Sequence, residues 1–255
     1  MLRKIKFKLV CLKSGEVYGN GGEELYELFF SITRRSWGES ACQLINSDSI
    51  PFTLGRIRGK GKRKSNNFVL EAGRDYYFTC SVLTHEMDEM LQHLIEELEG
   101  SRFSLGSSLC MCVEARELFK SDYHELIFNT KAFSSKICFD FVSPTSFGNG
   151  ESVVFPTPEF VFNNLSQRWN CFGPWPMYID RANEWLIVNR YQLRTYQVTD
   201  ACCSTIGFQG PVQYSFNHKI SDEAKWQITV LSRFATFAGI GDKTTQGMGE
   251  VILRQ

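Results

Sequence analysis

The most diagnostic stretch of the chain covers residues 234–253 and reads FATFAGIGDKTTQGMGEVIL. Its glycines stand in the spacing G-x-G-x5-G-x-G, and they are Gly239, Gly241, Gly247 and Gly249. The periodic run before them and the short apolar run after them predict a helix, a loop and a strand. Glycine adopts positive φ and lets a backbone approach another group closely, so we expect close contacts around this loop.

Three of the side chains between the two glycine pairs suit contact with an anion. Lys243 supplies one cation, and Thr244 and Thr245 supply two hydroxyl groups. Backbone amides of a glycine-rich loop, together with a lysine and hydroxyls, are a common way to hold a phosphate. The alternative is a glycine-rich connection that binds no ligand. Because all seven residues fall in one loop, we predict that it contacts an anion.

Composition limits the classes of protein that the chain can represent. Its 255 residues suffice for one large domain or two small ones. The 28 basic and 28 acidic residues cancel, so any nucleic-acid site must be a local patch. No apolar run is long enough to cross a membrane, and the alternating N-terminal residues resemble a strand more than a signal peptide. We therefore expect a cytoplasmic protein with no membrane partner.

Cysteine usage gives no sign of a metal site. Nine cysteines without a secretory signal indicate reduced thiols. Cys110 and Cys112 are two residues apart and Cys202 and Cys203 are adjacent, so neither pair has the C-x-x-C spacing. No nearby histidine completes a zinc-binding set. We predict no metal and no cofactor.

Three segments of the second half share one pattern. They read FVSPTSF (141–147) with FPTPEFVF (155–162) and RWN (168–170), then GFQGPVQY (207–214), and finally the glycine-rich loop. Together they resemble the CRISPR-associated endoribonucleases that cut precursor CRISPR RNA within its repeats, a branch of the RAMP superfamily. The resemblance extends from about Phe141 onward. The first half matches more loosely, through PFTL at 51–54 and the order of its elements.

The order of predicted elements agrees with the fold that this resemblance implies. The first half reads strand (5–12), helix (23–35), strands (52–57, 68–70 and 76–83), helix (85–99, capped by Thr84) and strand (109–114). The second half reads strand (137–142), helix (158–169), one or two strands (184–198), strand (211–216), helix (222–237) and strand (248–253). We predict an α+β fold of two tandem ferredoxin-like (RRM-like, βαββαβ) domains, 1–125 and 126–255, joined near residues 121–136.

One segment of the first half concentrates positive charge. Residues 56–64 read RIRGKGKRK, and the six cations are Arg56, Arg58, Lys60, Lys62, Arg63 and Lys64. Such a run forms either a solvated hairpin tip or a phosphate-binding patch. The remainder of the chain is acidic by the same amount, which favours a patch. We predict that this basic segment and the seven residues of the glycine-rich loop bind RNA.

The resemblance also implies a reaction that needs no metal. The ribose 2′-hydroxyl attacks the adjacent phosphate, leaving a 2′,3′-cyclic phosphate and a 5′-hydroxyl. This chemistry needs a group that takes the 2′ proton, a group that protonates the leaving oxygen, and cations that hold the phosphate. Many members of the family supply a histidine a few residues before the PFT sequence. Here residues 44–51 read LINSDSIP, and that histidine is absent.

The first helix offers other groups near this position. Arginine cannot readily act as a base because its pKa is too high, but Arg34 and Arg35 can orient the 2′-hydroxyl and neutralise phosphate charge. The alternative is that both arginines only stabilise the C-terminal end of the helix. We predict Arg34, Arg35 and Tyr26 as catalytic residues. The histidines lie outside the motif position and are His85, His93, His124 and His218.

The sequence is compatible with three functions. The first is a ribonuclease that cuts CRISPR repeats and whose partners are precursor and mature CRISPR RNA. The second is a non-catalytic repeat-RNA-binding subunit of a CRISPR effector complex, which the missing histidine favours. The third is a RAMP-type scaffold subunit, which the complete RWN and glycine-loop motifs argue against.

Overall fold

The computed structural model describes residues 1–45, 49–64, 66–130, 135–148, 153–199 and 204–254. The chain divides into two compact units. The first comprises residues 1–120, 198–204 and 245–248, and the second comprises 121–197, 205–244 and 249–255. We predicted a boundary between residues 125 and 126, whereas this division falls between 120 and 121 and assigns two later segments to the first unit.

The first unit contains nine strands and two helices among its described residues. Its elements are β1 (Leu2–Lys13), β2 (Gly15–Tyr18), α1 (Gly22–Ile45), β3 (Phe52–Leu54), β4 (Arg58–Gly59), β5 (Lys62–Lys64), β6 (Asn67–Leu70), β7 (Asp75–Val82), α2 (His85–Leu98), β8 (Arg102–Leu105) and β9 (Ser108–Ser121). The main sheet has the order β3-β7-β1-β9-β8, with β4 on β7, and a smaller sheet has the order β2-β6-β5. The order β3-β7-β1-β9 with α1 and α2 as crossovers is that of a ferredoxin-like domain.

Alternation in β1 and helical spacing in α2 build the core of this unit. Ile5, Phe7 and Leu9 are buried on one face of β1, and Phe7 stacks on Phe78 of β7 at 4.8 Å between ring centroids. In α2 the buried residues recur every three or four positions, as predicted. Thr84 is the predicted N-cap, and its hydroxyl accepts a hydrogen bond from an amide of the first turn.

Two features of the first unit differ from the sequence prediction. Strands β2, β4, β5 and β8 were not predicted, and each has only two to four residues. Helix α1 continues ten residues beyond Arg35, and its backbone kinks at Gly38, which has φ 58°. A residue with this φ ends a regular helix locally, and a second helical stretch follows it. The LINSDSIP motif position lies partly outside the described residues, at 46–48.

The second unit repeats the ferredoxin-like order. Its elements are α3 (Tyr123–Phe128), β10 (Lys136–Thr145), α4 (Pro158–Phe172), α5 (Ala182–Trp185), β11 (Leu186–Tyr191), β12 (Arg194–Thr199), β13 (Ser204–Phe216), α6 (Asp222–Ala238) and β14 (Val251–Arg254). The sheet runs β11-β13-β10-β14, with β12 paired to β13. The two helices that cross between its strands are α4 and α6. The predicted tandem ferredoxin-like fold is therefore confirmed.

Aromatic side chains fill the core of the second unit. Trp169 of α4 packs its edge against Phe234 of α6 at 5.3 Å, and Phe141 of β10 packs against Phe208 of β13 at 4.9 Å. Such edge-to-face pairs stabilise a core beyond the area that they bury. The hydroxyl of Tyr214 lies in this core and donates a 2.8 Å hydrogen bond to the carbonyl oxygen of Pro156.

The described residues contain neither a membrane-spanning helix nor a cluster of metal-binding side chains. No helix there is both long and apolar enough to span a lipid bilayer. No group of three or more histidine, cysteine or acidic side chains in the described ranges is arranged to hold a metal ion.

Replacing Tyr214 with phenylalanine should destabilise the fold. The substitution leaves the Pro156 carbonyl without its donor inside the core, which should lower the free energy of unfolding by about 1–3 kcal/mol. Urea unfolding would measure the change. Tyr178→Phe is the matched control because the Tyr178 side chain is 72% exposed, and its stability should equal that of the parent. Equal losses in both variants would contradict a role for the buried hydrogen bond.

Candidate functional site

All four glycines of the conspicuous loop have backbone angles that favour glycine. Gly239, Gly241, Gly247 and Gly249 have φ values of 68°, 89°, 82° and 71°. Lys243 has φ 52° and is the only non-glycine residue with a positive φ among the described residues. A Cβ atom at position 241 would lie 2.5 Å from the carbonyl oxygen of Ser146. The glycine pattern is thus explained by backbone geometry and by close approach to neighbouring carbonyls.

The protein itself uses the amides of this loop in the second unit. The Gly241 amide donates to the side-chain oxygen of Asn164 at 2.9 Å. The Asp242 amide donates to the Ser146 carbonyl at 3.0 Å, and the Gly249 amide donates to the Pro144 carbonyl at 2.9 Å. These three N–H groups therefore fix the loop to α4 and β10.

Thr244 and Thr245 are buried, with exposures of 6% and 9%. The Thr244 hydroxyl accepts a hydrogen bond from the guanidinium of Arg168 on α4. The structure thus gives this hydroxyl an internal partner, and its predicted contact with RNA stays a prediction. Lys243 is half-buried beside them, and it also stays a predicted phosphate contact.

Two charged groups around the loop have shifted pKa values. Burial lowers the pKa of the Arg168 guanidinium to about 10, and the neighbouring Tyr123 and Cys171 oppose that shift. Arg168 nevertheless remains a cation near neutral pH. Burial raises the pKa of the Asp242 carboxyl, and the charge of Lys243 acts in the opposite direction.

The segment 245–248 of the same loop packs within the first unit. The Gly247 amide donates to the Leu54 carbonyl at 3.1 Å, and Gly247 forms a parallel bridge with Gly55. A Cβ atom on Gly247 would lie 3.2 Å from the Cα atom of Arg56. At the start of α1, Gly22 leaves no room for a side chain against the backbone of Gln246. The first unit thus brings this segment, the start of α1 and the first cation of the basic segment together.

The basic segment forms strands β4 and β5 and carries partly neutralised charge. Lys62 pairs with Glu71 at 3.4 Å, and Lys64 pairs with Glu16 at 3.1 Å. Arg63 donates to the side-chain oxygen of an asparagine at 2.6 Å. Lys62 and Lys64 keep 81% and 75% of their side chains exposed, so a phosphate can still reach them. Their pairing with carboxylates weakens the local positive potential.

The predicted catalytic residues all lie on α1, but the structure does not bring them together. Tyr26 is half-buried in an aromatic cluster and stacks on Phe30 and Phe52 at centroid distances of 6.5 and 6.2 Å. Arg34 and Arg35 are exposed eight and nine residues later, about 12 Å along the helix axis. Arg35 lies 4.0 Å from Glu97 of α2. Burial raises the pKa of the Tyr26 phenol, which makes it a weaker acid that stays protonated at neutral pH.

The histidines are distributed over separate elements. His85 and His93 lie on α2, where each faces a glutamate at 3.9 and 3.8 Å, and the ring of His93 also meets the edge of Trp37. In the second unit, His124 of α3 stacks on an exposed phenylalanine. His218 lies in the turn between β13 and α6.

Comparison with known proteins gives one consistent family. Residues 139–251 match the family model described as CRISPR-associated endoribonuclease Cas6. A Mycobacterium tuberculosis protein of that name is 25% identical over 179 residues, covering 67% of this chain and 56% of the relative. A Streptococcus thermophilus protein of that name is 25% identical over 195 residues, covering 73% of this chain and 79% of the relative. The chain thus spans little more than half the length of the mycobacterial relative.

Solved structures agree with this fold. A Cas6 product complex superimposes with a TM-score of 0.80 at 22% identity, and all of both chains is covered. These structures share the tandem ferredoxin-like fold of this chain. The comparisons confirm the resemblance to the CRISPR-associated endoribonuclease Cas6 family.

Sequence reasoning missed two residues that fix the loop. Asn164 and Arg168 of α4 each bond to it, at Gly241 and Thr244 respectively. Their spacing of four places both on one face of the helix, which was available as a signal. Their partners, however, lie 77 and 76 residues further along the chain, and no local pattern reveals such pairs.

Replacing Gly249 with alanine should destabilise the protein more than the same change at Gly100. The two glycines have nearly equal φ values of 71° and 75°, so each alanine meets a similar backbone strain of about 1–2 kcal/mol. At Gly249 the new methyl also meets the Ile240 carbonyl and the Thr244 side chain, whereas nothing lies within 4 Å at Gly100. We expect a further loss of about 1–3 kcal/mol at Gly249. Thermal unfolding would measure it, and equal melting temperatures would contradict close packing around Gly249.

Proposed function

We propose that the protein is an endoribonuclease that binds CRISPR repeat RNA and cuts precursor CRISPR RNA within the repeats. The observation that carries this proposal is the glycine-rich loop, whose motif falls inside the part of the chain that matches the family model. Its tandem ferredoxin-like fold adds support. In the first unit, the same loop meets Arg56, the first cation of the basic segment, so two predicted RNA-binding segments adjoin there.

The proposed reaction is attack of a ribose 2′-hydroxyl on the adjacent phosphate, without a metal ion. The oxygen of the 2′-hydroxyl forms the new bond to phosphorus, and the 5′-oxygen of the next nucleotide leaves. Cationic side chains stabilise the negative charge that grows on the phosphate oxygens. Arg56 and Arg34 of the first unit are the cations that we assign to this role, and Lys243 is proposed as a separate phosphate contact.

Tyr26 suits the proton transfer to the leaving oxygen. The phenol carries a proton at neutral pH and can donate it, although burial raises its pKa and makes it a weaker acid. Tyr26 lies about one turn from Gly22, the α1 residue that adjoins Gln246. Arg34 and Arg35 are solvent-exposed and can hold the 2′-hydroxyl and the phosphate of a bound RNA. Of the two, Arg35 is drawn towards Glu97, so we assign the larger contribution to Arg34.

The absence of the motif histidine favours a second candidate function. A protein without that proton-transfer group retains the RNA-binding loop but cuts slowly or not at all, because such a group contributes about a hundredfold to ten-thousandfold in rate. In this case the protein is a repeat-RNA-binding subunit of a CRISPR effector complex. Incubating the protein with labelled repeat RNA in EDTA separates the candidates. Cutting at one phosphate supports the enzyme, and tight binding without cutting supports the subunit. If the protein neither binds nor cuts the RNA, both candidates are excluded.

The basic segment should add affinity that depends on salt but not on RNA sequence. Replacing Lys60, Lys62, Arg63 and Lys64 with glutamine should flatten the plot of log affinity against log salt, by about 0.7 for each phosphate of a single strand that these cations neutralise. Filter binding between about 50 and 300 mM salt would measure the slope. Lys225→Gln is the control, since Lys225 pairs with Asp222 outside both predicted RNA-binding segments. An unchanged slope in the quadruple variant would identify the segment as a solvated hairpin.

Cleavage should depend on Arg34 more than on any histidine. In single-turnover assays, we expect Arg34→Ala to slow cutting about tenfold or more because it removes charge stabilisation. His85→Ala and His218→Ala should cut at the parent rate. The parent rate should show no inflection near pH ~6.5, the usual pKa of imidazole. Loss of cutting in a histidine variant, with Arg34→Ala active, would transfer the active site to that histidine.

A further inference from the structure

The RWN motif at 168–170 performs two different tasks in the second unit. The Trp169 indole donates to the Trp175 carbonyl at 2.8 Å. The side-chain amide of Asn170 accepts a 2.7 Å hydrogen bond from the backbone N–H of Met177 and donates a 3.0 Å hydrogen bond to the Met177 carbonyl. These two residues thus fix the turn that follows α4. Arg168 instead points to the glycine-rich loop.

Two polar side chains of α4 bond to the loop from the same face of the helix. The side-chain oxygen of Asn164 accepts from the Gly241 amide at 2.9 Å. One turn later, the Arg168 guanidinium donates to the Thr244 hydroxyl. Their spacing of four residues aligns both side chains along the helix. The helix therefore holds the loop at two points, three residues apart, on either side of Asp242 and Lys243.

Thr244 is the residue through which Arg168 acts on the glycines. Its hydroxyl accepts the hydrogen bond from Arg168. Its methyl group occupies the space that a side chain at position 239 or 249 would enter. The distances from that methyl carbon to a Cβ built at Gly239 and at Gly249 are 3.2 and 2.8 Å. One threonine thus contacts the first and the last glycine of the motif.

We propose that Arg168 is a positioning residue for RNA binding, which acts by fixing Thr244 and hence the loop segment that carries Lys243. This inference rests on the proposed function, because it takes the loop as an RNA contact. Arginine fits the task since its guanidinium presents planar donors in a fixed arrangement and remains charged when partly buried. A lysine at position 168 offers a shorter, rotatable donor and cannot hold the hydroxyl in the same way.

The test uses substitutions on both sides of the Arg168–Thr244 bond. Arg168→Met removes the donor, and Thr244→Val removes the acceptor while keeping the volume of the side chain. Thr244→Ser keeps the hydroxyl. We expect Arg168→Met and Thr244→Val each to weaken binding of a labelled single-repeat RNA about tenfold, because a small displacement of a contact residue is costly. Thr244→Ser loses the methyl that packs against the flanking glycines, so it should bind more weakly than the parent but more tightly than Thr244→Val. The Arg168→Met/Thr244→Val double variant should be no weaker than the weaker single variant.

Asn170→Ala is the matched control. It removes two hydrogen bonds of the same motif without touching the loop, so it should lower the melting temperature but not the RNA affinity measured well below that temperature. Hydrogen exchange of the RNA-free protein gives a second readout. The Gly241 and Gly249 amides should exchange faster in Arg168→Met and Thr244→Val than in Asn170→Ala.

The outcomes separate this inference from the proposed function. A parent protein that does not bind repeat RNA overturns the proposed function and, with it, the role of Arg168 in binding. If the parent binds repeat RNA and Thr244→Val binds it equally well, the inference is wrong while the proposed function stands. Unchanged exchange at Gly241 and Gly249 overturns the claim that Arg168 fixes the loop. If Asn170→Ala and Thr244→Val lose RNA affinity equally, Arg168 only supports the fold and has no specific role in positioning the loop.

Discussion

Close approach between backbone segments at the glycine-rich loop is the constraint on which the candidate site depends. The Ile240 amide donates to the Gly249 carbonyl at 2.8 Å, and the Gly249 amide donates to the Pro144 carbonyl at 2.9 Å. A side chain at position 249 would occupy the space that these bonds require. The same short distances fix the path from α6 into β14, so the fold and the proposed RNA contact share one set of interactions.

Charge in this protein is arranged locally. The net formal charge is zero, yet six cations fall within residues 56–64. Lys62 and Lys64 of that segment already pair with carboxylates, so an arriving phosphate must compete with Glu71 and Glu16. Exposed ion pairs of this kind contribute little to stability, and little free energy is needed to break them when a phosphate binds. The partly buried charge of Arg168 differs, because it holds the loop from within.

The sequence predicts those parts of the structure that depend on local pattern. Helix α2 follows from the cap at Thr84 and the three- and four-residue spacing of its apolar residues, and both are present. The extension of α1 past Gly38 could not be predicted, because a glycine with positive φ normally ends a helix. The pairing of Arg168 with Thr244 could not be predicted either, since it joins positions 76 residues apart. The glycine spacing located the loop correctly but did not show that its amides already have partners inside the protein.

The first unit is discontinuous in sequence, and this has a consequence for its synthesis. Residues 245–248 belong to that unit, and Gly247 donates to the Leu54 carbonyl at 3.1 Å. About 125 residues, from 121 to 244, separate them from the end of its main segment at residue 120. At ribosomal rates of about 5–20 residues per second, this interval corresponds to roughly 6–25 s. During that time the nascent first unit carries its basic segment without residues 245–248, which pack beside Arg56. The cations are therefore made well before the glycine-rich loop, the second segment that we propose binds RNA.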